Sequence, residues 1–268
     1  MDIKKNLVPA TKYGIKCPYS MKPEFIVVHN TANDASAANE VAYMISNGNE
    51  VSFHYAIDNK QVVQGIPETR NAWHAGDGTN GKGNRYGIGI EICYSKSGGK
   101  KFTDAEKLAA KFIAEKLDEK GWDISKVKKH QDFAPKRCPH RTLDMGWQRF
   151  LDMVQAELDA LKPTGYKPTV KEWQKAAIAD GYKFPKWGAD GVWGDECASV
   201  AAKAQVKRRV FYTNKHLTRM VQLVVGVTVD GLCGPKTVAA IKAYQKKNGL
   251  TADGIVGVKT WKKILGVK

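Results

Sequence analysis

The sequence predicts an α/β domain followed by a small all-α domain. Strand-like and helix-like segments alternate along residues 1–161, as they do in α/β proteins. Residues 162–169 contain two prolines and a glycine, which interrupt helices, and we predict a linker there. Residues 170–268 repeat a short motif ahead of helix-compatible segments. A chain of 268 residues is long enough for one good-sized core and a satellite domain.

The first predicted elements are a strand, a helix and a second strand. Residues 25–28 form an apolar run typical of a buried strand, which ends at His29. Residues 35–47 have helical spacing, and Gly48 is suited to a left-handed helix end. Residues 51–57 alternate as a strand does. One face of that strand would carry Val51, Phe53, Tyr55 and Ile57, and the other would carry His54.

The next predicted strand, residues 87–93, places a carboxylate among small residues. Its period-two pattern puts three isoleucines on one face and Glu91 on the other, together with Gly89 and Cys93. Because the neighbouring residues on this face are small, we expect open space next to the carboxylate of Glu91.

Two helices complete the first domain. Thr103 and Glu106 have capping-box spacing, which predicts a helix start, and Gly121 is expected to end that helix. A last amphipathic helix is predicted from the apolar residues Trp147, Phe150, Leu151, Val154 and Leu158.

The C-terminal region contains the motif Asp-Gly-x-x-Gly at residues 190–194, 230–234 and 253–257. A single Asp-Gly turn is common in proteins, but three copies of the motif within 68 residues indicate an internal repeat. Pro235 suits a helix start, and an apolar stripe of Val238, Ile241 and Tyr244 follows it. We predict a bundle of three to six helices.

Composition limits the class of protein. The five cysteines are an odd number without framework spacing, so we expect no disulfide scaffold and synthesis in a reducing compartment. No apolar stretch approaches the roughly 20 residues of a membrane span, and no signal-type segment follows Met1. We therefore expect a soluble protein without an export signal.

Positive charge is concentrated in the C-terminal part. Residues 1–160 carry a net charge of +3, whereas residues 161–268 carry +13. Such a field favours an anionic polymer as partner, and nucleic acid, an acidic membrane and a phosphate-rich wall polymer all qualify. The plainer alternative is a solvated lysine surface.

A cluster of metal-ligand residues indicates hydrolysis. A lone histidine at a strand end, such as His29, is more often structural than a ligand. His130 and Cys138, however, lie eight residues apart around a loop that contains Pro135 and Lys136. Zinc prefers imidazole and thiolate ligands, and three protein ligands leave a fourth position for water. The chain has no His-Glu-x-x-His helix of the thermolysin type.

Four separate blocks resemble the zinc-dependent N-acetylmuramoyl-L-alanine amidases of type 2. They are residues 25–32, 72–78, 87–93 and 130–139, which agree in order and spacing. This family includes bacteriophage endolysins and bacterial autolysins and is related to peptidoglycan recognition proteins. The resemblance spans about residues 20–160 and implies a mixed central sheet flanked by helices.

The resemblance also implies roles for individual residues. It makes His29, His130 and Cys138 zinc ligands. Glu91 would be the catalytic carboxylate that moves the proton, and Lys136 would stabilise the oxyanion. Trp73 and His74 would line the substrate groove, although His74 could instead hold a loop through its ring nitrogens.

The chain departs from some relatives at Phe53, where they have a catalytic tyrosine. Phenylalanine has no hydroxyl group, so Glu91 would carry the proton transfers alone. Tyr55 is two residues further along the same predicted face and is not expected to substitute.

The C-terminal region resembles the peptidoglycan-binding type 1 domain. Residues 217–265 give the fuller copy, and residues 170–204 a diverged one, with Asp-Glu-Cys at 195–197 where the motif usually continues toward threonine. The implied partner is peptidoglycan, with anionic wall polymers such as teichoic acid as a charge-based hypothesis. We expect neither nucleic acid binding nor membrane insertion.

Together these features predict a modular amidase that cuts the bond between the lactyl group of N-acetylmuramic acid and L-alanine. We expect a phage endolysin, made in the host cytoplasm and acting on the wall after release. The alternatives are a bacterial autolysin of the same activity and a non-catalytic recognition protein. A nucleic-acid-binding protein would leave the ligand trio unexplained, and no acidic pair stands out for a muramidase.

Overall fold

The computed structural model describes residues 1–162, 165–208 and 214–268. The chain divides into two compact units, Met1–Leu158 and Asp159–Lys268. Residues 163 and 164 of the predicted linker lie outside the described part. Within that part, no helix combines the length and the apolar character that a membrane span requires.

A mixed sheet forms the centre of the first unit. Its strands are β1 (Ile3–Lys5), β2 (Phe25–Asn30), β3 (Tyr55–Ile57), β4 (Val62–Gln64), β5 (Gly87–Ile92) and β6 (Val127–Lys129). Their order across the sheet is β1-β4-β3-β5-β2-β6. The β3–β4 pair is antiparallel and the other neighbouring pairs are parallel, so the predicted mixed α/β sheet is confirmed.

Helices cover both faces of this sheet. They are α1 (Tyr13–Lys16), α2 (Ala37–Ser46), α3 (Lys82–Tyr86), α4 (Gly99–Glu119), α5 (His140–Asp144) and α6 (Trp147–Ala160). The isoleucine face of β5 packs with Phe112 of α4 and Phe150 of α6 in the main core. On the opposite face, α2 contributes Val41 and Met44 to a second apolar cluster.

Parallel strands bring the candidate site residues to one edge of the sheet. β2 lies between β5 and β6, and His29 of β2 is directly in register with Glu91 of β5. His130 follows the last residue of β6. The carboxyl ends of neighbouring parallel strands are where ligand sites of open α/β sheets form.

The predicted strand over residues 51–57 is shorter than expected. Only Tyr55–Ile57 belongs to β3, and Phe53 packs in the second cluster, whereas Tyr55 lies in the main core. The expected common face of these residues is therefore wrong. Gly48 is not left-handed either, because α2 ends at Ser46 and its C-cap Asn47 is extended.

The capping box predicted at Thr103 and Glu106 is also wrong. Helix α4 begins earlier, at Gly99, so both residues lie inside it. Glu106 is fully buried and accepts a hydrogen bond from Arg149 of α6 at 2.6 Å. The carboxylate thus joins two helices instead of capping one, while Gly121 does follow the helix end in a left-handed conformation.

The second unit is built from short helices. They are α7 (Val170–Ala179), α8 (Asp195–Lys203), α9 (Lys215–Val225), α10 (Pro235–Lys247) and α11 (Val258–Leu265). Pro235 is the first residue of α10, as predicted. Trp173 and Trp261 are fully buried in the shared core of this unit, with ring centroids 5.9 Å apart.

One buried glutamine fastens each Asp-Gly-x-x-Gly turn to the preceding helix. The amide nitrogen of Gln222 donates to Asp230 Oδ1 at 2.6 Å and to the carbonyl of Leu232 at 3.1 Å. Its Oε1 accepts from the backbone N–H of Gly231 at 2.8 Å. Equivalent contacts surround Gln174 and Gln245. The three turns are therefore repeats in structure as well as in sequence.

Cys197 takes the position of a threonine in the first repeat. The hydroxyl oxygens of Thr237 and Thr260 lie 3.1 and 3.2 Å from the amide nitrogens of their glutamines. The Sγ atom of Cys197 lies 3.3 Å from Gln174 Nε2. The sequence departure at residues 195–197 thus preserves the architecture of the turn.

Candidate active site

Three buried side chains place their donor atoms close together at the carboxyl edge of the sheet. His29 Nδ1 is 3.0 Å from His130 Nδ1 and 3.9 Å from Cys138 Sγ. All three donor atoms lie within 4.8 Å of one another. On one tetrahedral zinc ion, two nitrogens would be about 3.3 Å apart and nitrogen and sulfur about 3.6 Å apart. The donor set and its spacing therefore fit zinc.

Burial keeps the two imidazoles of this cluster in the neutral, ligating form. It lowers the pKa of His29 well below its usual value, and the neighbouring His74, His130 and Lys136 act in the same direction. Burial and Lys136 also lower the pKa of His130. A neutral imidazole retains the lone pair that a metal ion requires.

The thiol of Cys138 is held protonated in the metal-free protein. Burial, reinforced by the charge of Glu91, raises its pKa to about 11. The backbone N–H of Asn30 and the charge of Lys136 oppose this shift. Because a thiolate is the ligand form, metal binding at this site must release a proton.

Glu91 is half-buried, and its carboxyl group lacks a full set of partners. Its Oε2 atom has no hydrogen-bond partner among the described residues. Burial raises the pKa of Glu91 to about 8, with a further increase from the charge of Glu40 and an opposing effect of Lys136. A carboxyl group tuned toward neutral pH and placed beside the cluster can both accept and donate a proton.

Lys136 lies on the exposed loop between His130 and Cys138. Two close backbone contacts shape this loop, from the N–H of Lys136 to the carbonyl of Ala134 and from the N–H of Cys138 to the carbonyl of Lys136, each 2.8 Å. The ammonium group is near enough to influence the pKa of each cluster residue and of Glu91. Its role in stabilising an oxyanion, which the resemblance implies, stays a prediction.

Sequence reasoning missed Asn30, which anchors the Cys138 loop. Its Oδ1 accepts from the backbone N–H groups of Arg141 and Thr142 at 3.0 and 3.1 Å, in the first turn of α5. The side chain therefore ties the end of β2, next to His29, to the helix that follows Cys138. Its position in the sequence beside His29 was the available signal.

His74 is enclosed by protein atoms, and its place in a substrate groove stays a prediction. It is only 8% exposed, and both ring nitrogens contact protein atoms, one of His29 and one of the Gly87 backbone. Its ring also fills the space over Gly89, so the space beside Glu91 is not open as predicted. Burial, reinforced by His54, lowers the pKa of His74 to about 3.

Trp73 and His54 are held by backbone contacts. Trp73 Nε1 donates to the carbonyl of Ile15 at 2.9 Å, and its ring meets Tyr19 edge-on. His54 Nδ1 accepts from the N–H of Gly89 at 2.9 Å, while its Nε2 lies 2.9 Å from a carbonyl oxygen. His54 therefore has a structural role, since both of its ring nitrogens contact backbone groups.

Phe53 and Tyr55 supply no hydroxyl group to the cluster. Phe53 is buried beneath α2. Tyr55 lies on the other side of the sheet and donates its hydroxyl to Glu68 at 2.8 Å. Among these residues, Glu91 is the group with a proton to exchange beside the metal ligands.

Two protein families match this chain. Residues 19–142 match N-acetylmuramoyl-L-alanine amidase, and residues 214–264 match a peptidoglycan binding domain. The chain is 46% identical over 263 residues to the amidase CwlA of Bacillus subtilis (strain 168), covering 94% of this chain and 93% of that relative.

Solved structures agree with the fold of the first unit. The structure of PlyL is 54% identical, with a TM-score of 0.56, and the match covers 57% of this chain and 97% of PlyL. A mutant endolysin from Bacillus subtilis is 36% identical, with a TM-score of 0.53 and coverage of 57% and 99%.

The sheet, the clustered site and these similarities together define an amide-hydrolysing enzyme of the bacterial cell wall. Because the identity to CwlA extends over nearly the whole of both chains, the chain belongs to the N-acetylmuramoyl-L-alanine amidase family. The resemblance that the four sequence blocks indicated is confirmed.

Proposed function

We propose that this enzyme is a zinc-dependent N-acetylmuramoyl-L-alanine amidase that hydrolyses the amide between the lactyl group of N-acetylmuramic acid and L-alanine. The observation that carries the proposal is the buried cluster of His29, His130 and Cys138, whose donor atoms lie within 4.8 Å of one another beside Glu91. A zinc ion held there would supply Lewis acidity toward the scissile carbonyl and toward water.

The protein groups would carry out the proton transfers. Glu91 accepts the proton of the attacking water, because its raised pKa makes it a competent base near neutral pH, and it then donates that proton to the departing amine of L-alanine. Lys136 stabilises the negative charge that develops on the carbonyl oxygen. Trp73, which directly precedes His74 in the sequence, is proposed to contact the substrate.

The activity is tested by mass spectrometry of Gram-positive peptidoglycan digested by the full-length protein. Chelator-sensitive release of stem peptides with a free L-alanine amine is the expected result. New reducing sugar ends would instead identify a glycosidase, and the absence of products would overturn the assignment. Metal analysis should find one zinc ion per chain.

We further propose that residues 1–161 form the catalytic domain, residues 162–169 the linker and residues 170–268 the wall-binding domain. The two compact units and the two family matches support this division. A role as a phage endolysin draws support from the similarity to an endolysin structure. Expression in a Gram-positive host should cause lysis only when a separate pore-forming protein opens the membrane; lysis without the pore would favour an autolysin.

A further inference from the structure

A chain of contacts leads from the metal-ligand cluster into the backbone of β5. His29 Nε2, the ring nitrogen that does not face His130, lies 3.0 Å from His74 Nδ1. On the other side of its ring, His74 Nε2 lies 3.1 Å from the carbonyl oxygen of Gly87. Both imidazoles are buried, with 2% and 8% of their surface exposed, so water does not compete for these contacts.

The carbonyl group at the end of this chain determines the direction of both hydrogen bonds. A carbonyl oxygen only accepts, so His74 Nε2 must carry a proton. In the neutral ring that this buried site favours, Nδ1 is then unprotonated and accepts from His29 Nε2. The lone pair of His29 is consequently left on Nδ1, the atom that faces His130 and Cys138.

We propose that His74 is a positioning residue that fixes the tautomer and the ring orientation of His29, so that Nδ1 is presented as a metal ligand. The inference rests on the proposed zinc-dependent function. Partners of this kind orient ligating histidines in metalloproteins, and their loss typically weakens metal binding about 10- to 100-fold.

The surroundings of His74 hold its ring in the required place. Asn84 Oδ1 accepts from the backbone N–H groups of His74 and Ala75 at 2.8 and 2.7 Å. The imidazole lies against Gly89, where an added Cβ would be 2.7 Å from its Cγ atom. A side chain at position 89 would therefore push the ring away from His29, which gives a physical reason for glycine in the middle of β5.

The test compares two substitutions of His74 in the full-length protein. His74→Gln retains an acceptor for His29 and a donor for Gly87, whereas His74→Leu fills similar space with neither. Competition with a chromogenic chelator should show zinc affinity weakened about 10- to 100-fold in His74→Leu and changed only a few-fold in His74→Gln. Equal zinc affinity in wild type and His74→Leu would overturn the proposal.

A spectroscopic measurement gives an independent answer. Long-range ¹⁵N–¹H NMR correlations of the zinc-free protein should show His29 protonated at Nε2 in the wild type and a mixture of tautomers in His74→Leu. An unchanged Nε2–H tautomer in His74→Leu would also overturn the proposal. This readout needs no bound metal, so it separates failure of the inference from a wild type that binds no zinc.

Two further variants exclude a general loss of structure. Gly89→Ala leaves the chemistry of His74 intact but displaces its ring, so it should also weaken zinc binding. His54→Gln alters another buried histidine, which contacts Gly89 and meets the His74 ring edge-on at 6.0 Å but does not contact His29. It should therefore change zinc affinity far less than His74→Leu. A loss of zinc affinity in His54→Gln equal to that in His74→Leu would contradict a specific role for His74.

Discussion

Glu91 combines partial burial with proximity to the ligand cluster, and these two properties make its role testable. Substitution by glutamine preserves the shape and removes the exchangeable proton. We expect Glu91→Gln to lower the turnover of peptidoglycan by at least about 100-fold, the usual contribution of a general acid or base. Metal analysis should still find zinc bound, because Glu91 is not one of the clustered donors. Retained turnover would remove Glu91 from the mechanism.

The same residue should control how the metal-free protein responds to pH. The folded protein raises the pKa of Glu91 to about 8, above its unfolded value of 4.5, so the unfolded chain releases this proton first. Ionisation of Glu91 therefore leaves the free energy of unfolding unchanged below pH 4.5. As pH rises from 4.5 to about 8, it lowers the free energy of unfolding. With chelator present, Glu91→Gln should escape this loss and exceed the wild type at pH 9 by about 2–4 kcal/mol.

Denaturant unfolding at pH 5 and pH 9 measures this difference. Glu50→Gln, which neutralises an exposed carboxylate, is the matched control and should follow the wild type. Parallel pH dependence of Glu91→Gln and the wild type would show that the carboxyl group ionises freely in the folded protein.

Individual residues also show what the sequence could and could not predict about the site. His29, Glu91, His130 and Cys138 stand at strand ends or in a short loop, where residue type and spacing carry the signal. The roles of Asn30 and His74 depend on partners far away in sequence, such as Thr142 and Gly87. Residue spacing contains no information about such tertiary contacts.

At the scale of elements, the predictions succeeded where the apolar pattern extends along the whole helix or strand. Helix α6 and the strands around Ile26 and Ile90 follow their apolar patterns. The capping box predicted at Thr103 and Glu106 failed because a four-residue motif is a weak signal compared with the tertiary pairing of Glu106 with Arg149. Phe53 was misplaced because β3 begins only at Tyr55.

The glutamine-fastened turns should be the most sensitive elements of the second unit. Gln222 is fully buried and joins α9 to the turn through Asp230 and Gly231. Gln222→Ala should lower the free energy of unfolding of this unit by about 2–4 kcal/mol, since several buried polar groups lose their partner. Thermal unfolding followed by circular dichroism would measure the loss.

Cys197→Thr is the matched control for this prediction. It restores the hydroxyl that the other two repeats contain at the equivalent position. We expect it to change stability by less than about 1 kcal/mol in either direction. If Gln222→Ala were as mild as Cys197→Thr, the glutamine contacts would contribute little to the unit.

At the scale of the whole molecule, positive charge is concentrated in the part of the chain for which wall binding is proposed. Residues 161–268 carry a net charge of +13, whereas residues 1–160 carry +3. The repeated turns explain how the second unit folds. Attraction of its excess positive charge to an anionic wall polymer stays a prediction.

Salt dependence tests whether this charge contributes to wall binding. Attraction to phosphate groups weakens as salt screens the charges and competes for the polymer, so binding of the inactive Glu91→Gln protein to Gram-positive walls should fall between about 50 and 500 mM NaCl.

Substitution of four exposed lysines of α10 by glutamine should weaken binding at low salt by about three- to tenfold; they are Lys236, Lys242, Lys246 and Lys247. Glutamine at Lys107 and Lys111 of α4 serves as the control and should have a smaller effect. Sedimentation of the protein with walls, before and after extraction of teichoic acid, measures the bound fraction. Binding that is unaffected by salt and by this extraction would show that the lysines only solvate the surface.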